Sequence, residues 1–311
     1  MENQTSVTEF ILLVFPSIQK VHALLFVGVL VMYILTVTGN IIIIAIVLTD
    51  CTLHKPMYFF LGNLSSLGIL YVSATIPKLL TSLLDAKKSI SIAGCKAQAF
   101  SHFFLGATEF FLLTAMSFDC YTLHYICSLL HYTTILSGRL SFASWASGFL
   151  TIFVQSFLVF QLPFCGPNVI NHFYCDVEPL LQLACTETCC VERLIFIVAA
   201  VVLFSTSILT IVSYSFIIFA VLRIPSASVK QKAFSTCTAH LSVLLLLYGA
   251  VIFIHARPSG YASRSKNNAV SLPNTLVTAL LSPFIYTLRI REVKTALKKA
   301  VIGNKILEVK Q

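Results

Sequence analysis

The sequence predicts an all-α protein, a bundle of seven membrane-spanning helices followed by a short amphipathic helix. Three observations predict it. Of the 311 residues, 57% are hydrophobic and only 11% charged, too few charges to cover a water-soluble fold of this size. Long uncharged stretches separate the charges, several matching the roughly 20 residues that a spanning helix needs. No soluble domain interrupts them, and lipid accepts apolar side chains on an outer surface as water does not.

Taken in order, the gap from Lys20 to Asp50 holds 29 uncharged residues and predicts a helix at 22–48; the gap from Lys55 to Lys78 holds 22 and predicts 57–82. The stretch from Ala97 to Phe118, broken only by Glu109, predicts a third helix at 94–122. Arg139 to Asp176 encloses 36 residues, enough for a span at 140–160 and a long loop. The gaps Arg193–Arg223, Lys232–Arg257 and Lys266–Arg289, with 29, 24 and 22 residues, predict 192–222, 233–256 and 267–288. Within 291–301, Val293, Ala296, Leu297 and Ala300 share one face and Lys294 and Lys298 lie elsewhere, as suits a helix on the inner membrane surface. The chain thus divides into an outer segment 1–21, a spanning domain 22–290 and an inner tail 291–311.

Orientation rests on three weaker signals, one of them the single loop holding Cys165, Cys175 and Cys185, which falls outside where disulfides persist. With the N-terminus outside, inner segments hold 12 Lys/Arg and outer segments 9, a modest positive-inside bias. Asn3-Gln4-Thr5 is a glycosylation acceptor on that side, whereas Asn63-Leu64-Ser65 lies within a span and is expected to be inert. The formal charge of +9 does not imply nucleic acid, because the basic residues sit in short loops and the tail. The first 20 residues hold one short apolar run, Phe10–Phe15, with no basic segment before it, so the first span is expected to serve as its own insertion signal.

Of ten cysteines, Cys95, Cys165, Cys175, Cys185, Cys189 and Cys190 fall at or near the outside, with connectivity open. Cys51, Cys120, Cys127 and Cys237 fall inside, where thiols stay reduced. His172 and Cys175 are three apart, but two ligands do not make a metal site. No metal and no cofactor is expected.

Several strings then carry a resemblance. They are Gly39-Asn40, Lys55-Pro56-Met57-Tyr58-Phe59-Phe60-Leu61, Gly94-Cys95 with Gln98, Ser213-Tyr214, Lys232-Ala233-Phe234-Ser235-Thr236-Cys237 with His240-Leu241, and Pro283-Phe284-Ile285-Tyr286-Thr287-Leu288-Arg289. The long loop adds Cys165-Gly166-Pro167, His172-Phe173-Tyr174-Cys175-Asp176 and Cys185. In this order and spacing, from about residue 5 to 300, the chain resembles the odorant receptors of the rhodopsin-like G-protein-coupled class.

The resemblance implies disulfides Cys95–Cys175 and Cys165–Cys185, which would shape a lid and stabilise it by roughly 2–4 kcal/mol; it leaves Cys189 and Cys190 unassigned. It implies a plasma-membrane receptor with its N-terminus outside, a small odorant as ligand and a heterotrimeric G protein as partner. The ligand set is expected between helices 3, 5, 6 and 7. On the third, His102, Gly106 and Glu109 share a face, with Phe103 and Ala107 beside them. The fifth contributes Val198 and Val202, the sixth Tyr248, Val251, Ile252 and His255, the seventh Leu272 and Thr275. The set is apolar and aromatic with no acid near the top of the third helix, which disfavours an amine and suits a small apolar volatile with one hydrogen-bonding group. His102 is the foremost polar candidate.

The inner switch departs from the family pattern. Asp119-Cys120-Tyr121 stands where the family has Asp-Arg-Tyr, and cysteine supplies neither the charge nor the donors of that arginine. The following Thr122–Tyr132 is two residues longer and lacks the usual proline. Two extra residues turn a helix by about 200°, and His124 and His131 are expected in a solvated loop. Gly68 replaces an acid, leaving Glu109 without its partner carboxyl, and Ser282-Pro283 replaces Asn-Pro ahead of Tyr286. Tyr214, Lys232 and Tyr286 are expected to line the G-protein cavity. Changes concentrated there predict a receptor that binds odorant but couples poorly. The alternatives are a receptor drifted past signalling, or a transporter or channel. A transporter should show paired broken helices or repeats, and no catalytic constellation stands out for an enzyme.

Overall fold

The computed structural model describes residues 9–13, 22–53, 56–84, 88–125, 130–165, 168–170, 172–223, 225–255, 285, 293–295 and 297. Its elements are β1 (Glu9–Leu12), α1 (His22–Thr49), a 3-10 turn at Cys51–Leu53, α2 (Pro56–Leu84), β2 (Ser89–Ser91), α3 (Ile92–Tyr125), α4 (Leu130–Phe160), β3 (Val169–Ile170), the short α5 (Val177–Gln182), α6 (Cys189–Leu222) and α7 (Ala227–His255). Six of these helices are long and apolar enough to cross a bilayer. Of the predicted seventh span only Ile285 is described; it is helical and packs against the bundle core.

Helices are the stable state here because each backbone donor and acceptor is met within its own segment. Hydroxyls inside the spans use the same device. Thr36, Thr108, Thr114 and Thr206 each donate to the carbonyl four residues back, at 2.6–2.8 Å. Apolar residues such as Phe142 (77% exposed) and Phe196 (70%) stand on the outside, an arrangement that lipid stabilises.

The fourth and sixth spans differ most from expectation: their helices begin at Leu130 and Ala227, not at 140 and 233. A charge gap measures the apolar part of a helix, and these helices continue past Arg139 and past Lys230 and Lys232. His124 and His131, expected in a solvated loop, instead lie in the last turn of α3 and the first turn of α4. Thr122–Tyr132 holds no proline to stop either helix.

Two cores result. One runs through the middle and one end of the bundle, with Phe60, Leu112, Leu113, Met116, Tyr214 and Leu244 among its buried members. Val293 is buried in it and Leu297 packs on it, while Lys294 and Thr295 are exposed, so the described part of the C-terminal segment is helical and two-faced. The other core lies under a lid at the opposite end.

The lid contains a three-stranded sheet in the order β2-β1-β3. β1 runs antiparallel to β2, with Phe10 opposite Ile90, and parallel to β3, with Ile11 opposite Val169. Its side chains alternate as strand geometry requires: Phe10 and Leu12 point into the lid core and Glu9 and Ile11 outward. The apolar run Phe10–Phe15 thus begins with a strand that joins two loops.

Between α3 and α4 the helices approach closely at Gly148. A Cβ there would meet the Thr108 side chain and lie 3.0 Å from its backbone, so only glycine permits this approach.

Candidate ligand-binding site

Two disulfides fasten the lid, Cys95 to Cys175 and Cys165 to Cys185. The first ties the long loop to the top of α3; the second, across 20 residues, closes that loop on itself. Gln98 reinforces the first: its carbonyl accepts from the Cys175 backbone N–H at 3.1 Å and its amide donates to the Ala74 carbonyl at 3.1 Å. One side chain therefore links loop, α3 and α2. Lys96 donates to the Phe160 carbonyl at 2.8 Å and lies over the Phe160 and Phe164 rings, joining α3 to the end of α4.

Beneath the lid lies an aromatic cluster centred on His102. Its imidazole is buried, with Nε2 3.1 Å from the Tyr71 hydroxyl on α2. The Tyr174 ring lies 4.4 Å from it at a tilt of 33°, and Phe103 meets it edge-on at 5.4 Å. His172 approaches Tyr174 at 4.4 Å, accepts from its backbone N–H through Nδ1, and stands 4.0 Å from Asp176. Burial pulls the His172 pKa below its ordinary value, with the Asp176 carboxylate opposing. Burial holds the Tyr174 phenol well above its usual range, and Asp176 adds to that. Cys175 is bridged, so the His172–Cys175 spacing forms no thiolate pair, and among the described residues no group of three His, Cys, Asp or Glu is placed to hold a metal.

Below His102 on the same helix, Gly106 and Ala107 are half-buried, and the one atom near a Cβ at Gly106 is Tyr71 Cε2 at 3.9 Å. Val198 and Val202 are half-buried on one face of α6, which continues inward through the buried Thr206 and Thr210. On α7, Tyr248 packs on Phe110 with ring centroids 5.2 Å apart, and Val251 packs against the core. Ile252 stands apart from this wall at 60% exposure. The α7 helix reaches His255, but the side chain of His255, and all of Leu272, Thr275 and Asn3, lie outside the described residues. Glu109 is half-buried, and among the described residues no hydrogen bond or ion pair engages it.

At the other end of the bundle, Asp119 is fully buried and accepts from Ser137 on α4 at 2.7 Å. Tyr214 hydrogen-bonds His240, joining α6 to α7 with their rings stacked. Asn63 accepts from Ser141 at 3.0 Å and from the Trp145 indole at 3.4 Å, so this potential glycosylation acceptor is an internal tether from α2 to α4. Gly68 faces Asn40, whose amide nitrogen would lie 3.4 Å from a Cβ. Cys120, Tyr121 and Lys232 belong to helices, but their side chains lie outside the described residues, as does Tyr286. Cys189 and Cys190 are free and exposed at the start of α6.

Ser137, His240, Tyr71 and Gln98 are the contributors that sequence reasoning left without a role. Gln98 and His240 stood inside the recognised strings; Ser137 and Tyr71 carried no signal, because their partners come from other helices.

The bundle superposes on the crystal structure of squid rhodopsin with a TM-score of 0.63, covering 92% of this chain and 86% of that one at 14% identity. The fold is therefore the rhodopsin-like seven-transmembrane bundle. A family model described as olfactory receptor matches residues 29–304. Olfactory receptor 6X1 of Homo sapiens is 50% identical, with 97% of each chain covered. Olfactory receptor 6F1 of Homo sapiens is 48% identical over 97% of this chain and 99% of its own, and olfactory receptor 6E1 of Mus musculus 48% over 97% of each. The chain belongs to the olfactory receptor family, a family of multi-pass membrane receptors and not of enzymes.

Proposed function

We propose that the chain is an odorant receptor of the plasma membrane, with N-terminus and lid outside, that signals through a heterotrimeric G protein of the stimulatory, cyclic-AMP type. The observation that carries the reading is the aromatic site around His102 under a doubly bridged lid. A mostly apolar site with one or two polar groups is what a small volatile requires. His102, Phe103, Gly106, Ala107, Val198, Val202, Tyr248 and Val251 supply the ligand wall in this reading, and His255, Leu272 and Thr275 complete it. Ligand acts by population shift, binding the active arrangement more tightly than the resting one.

Coupling is weak, because Cys120 replaces the arginine that meets the G protein, and Gly68 and Ser282 replace two more polar groups of the switch. The test is an odorant panel on cells with measured surface expression. Binding with little cyclic AMP is expected, and Cys120→Arg should raise the response. Absence of odorant binding at normal surface expression would sink the receptor reading; full cyclic AMP from the unaltered chain would sink only the weak-coupling part.

A further inference from the structure

The geometry points to Tyr71 as a positioning residue that fixes the tautomer of His102, so that the site selects ligands carrying a hydrogen-bond acceptor without a donor. The inference rests on the odorant-receptor reading and names the ligand class of that site. Three observations carry it. His102 Nε2 is engaged by the Tyr71 hydroxyl at 3.1 Å. His102 Nδ1 is buried and has no partner among the described residues, although buried polar atoms are nearly always paired. The imidazole is held between Tyr71 and Tyr174, at 4.8 and 4.4 Å, with the Phe103 ring at its edge. Gly106, one turn on, presents no side chain, and a Cβ there would have only Tyr71 Cε2 within 4 Å, at 3.9 Å.

A neutral imidazole has one donor and one acceptor nitrogen, and the partner of one decides the role of the other. A phenol O–H is a stronger acid than an imidazole N–H. Tyr71 therefore donates to Nε2, and Nδ1 carries the hydrogen. A doubly protonated ring would also donate from Nδ1, so the selection does not depend on the charge of the ring. A ketone, aldehyde, ester or ether satisfies that donor. An alcohol does so only by burying its own O–H among aromatic rings, and an alkane leaves Nδ1 unmet.

The test uses the full receptor in lipid nanodiscs with octane, octan-2-ol and octan-2-one, affinity being read from ligand-dependent thermal shifts. The unaltered receptor should bind the ketone roughly two- to tenfold more tightly than the alkane, the range one hydrogen bond supplies, and more tightly than the alcohol. Tyr71→Phe keeps the ring but frees the tautomer, so the ketone-to-alcohol ratio should fall toward one while octane binding holds. His102→Gln retains an N–H donor and should keep part of the ketone preference, and His102→Phe should flatten the series. An alcohol preference in the unaltered receptor overturns the inference. So does a Tyr71→Phe variant that weakens all three ligands equally, which is the mark of a merely structural role. A folded receptor that binds none of the three overturns the inference, and one that binds no member of the odorant panel overturns the odorant reading itself.

Discussion

The lid end and the opposite end of this bundle are held by different means. Under the lid, covalent and backbone links dominate: two disulfides, a three-stranded sheet, and Gln98 bonded at once to Cys175 and Ala74. At the far end single side-chain pairs do the joining, Asp119 with Ser137 and Tyr214 with His240. Covalent and ladder links persist through small shifts of the helices. A single hydrogen bond contributes about 0.5–1.5 kcal/mol, small enough to be exchanged when helices move. The difference gives the lid end one persistent shape and leaves the other end freer to rearrange.

The contrast can be broken most forcefully at the lid. Cys95→Ser should cost about 4–5 kcal/mol, since that bridge spans 80 residues, and Cys165→Ser about 1 kcal/mol less, since its loop spans 20. Thermal unfolding of purified receptor in nanodiscs gives the comparison, and equal losses would show that loop length is not what matters. Phe10→Ala should cost about 3–5 kcal/mol, because this ring is fully buried and meets Phe164 edge-on. Hydrogen exchange should show the loss concentrated in β1, β2 and β3. Gly148→Ala should lower stability by about 1–3 kcal/mol by forcing α3 and α4 apart at Thr108. Ser137→Ala should cost about 1 kcal/mol and act at the far end alone.

The smallest effect sharpens the contrast through pH. His172 has a pKa below its ordinary value of 6.5, so the unfolded chain takes up its proton first on acidification. The contribution of His172 to lid stability is therefore complete above about pH 6.5. It is lost as the pH falls from there through the lowered folded value, and then levels off. Exchange rates of the lid amides between pH 8 and 5 measure this, and His172→Gln should remove that part of the slope.

Much of this contrast was legible in the chain. Charge gaps located the apolar parts of the six described spans, because a helix in lipid must satisfy its own backbone and so needs a long uncharged run. The lid cysteines lay in recognisable strings. What stayed hidden depended on contacts between segments. β1 is four residues long and has meaning only beside β2 and β3. Asn63 looked like an inert sugar acceptor and is a tether, because Ser141 and Trp145 arrive from another helix. Asp119 was read from its neighbour in sequence, Cys120, while its partner, Ser137, sits 18 residues on.

The pairing of β1 with β3 sets a waiting time during biosynthesis. Residue 11 can meet Val169 only after the ribosome has delivered four hydrophobic segments to the translocon. At typical elongation rates that delay is roughly 10–30 s. Through that interval β1 can pair only with β2, which leaves its other edge open to chaperones or neighbouring chains.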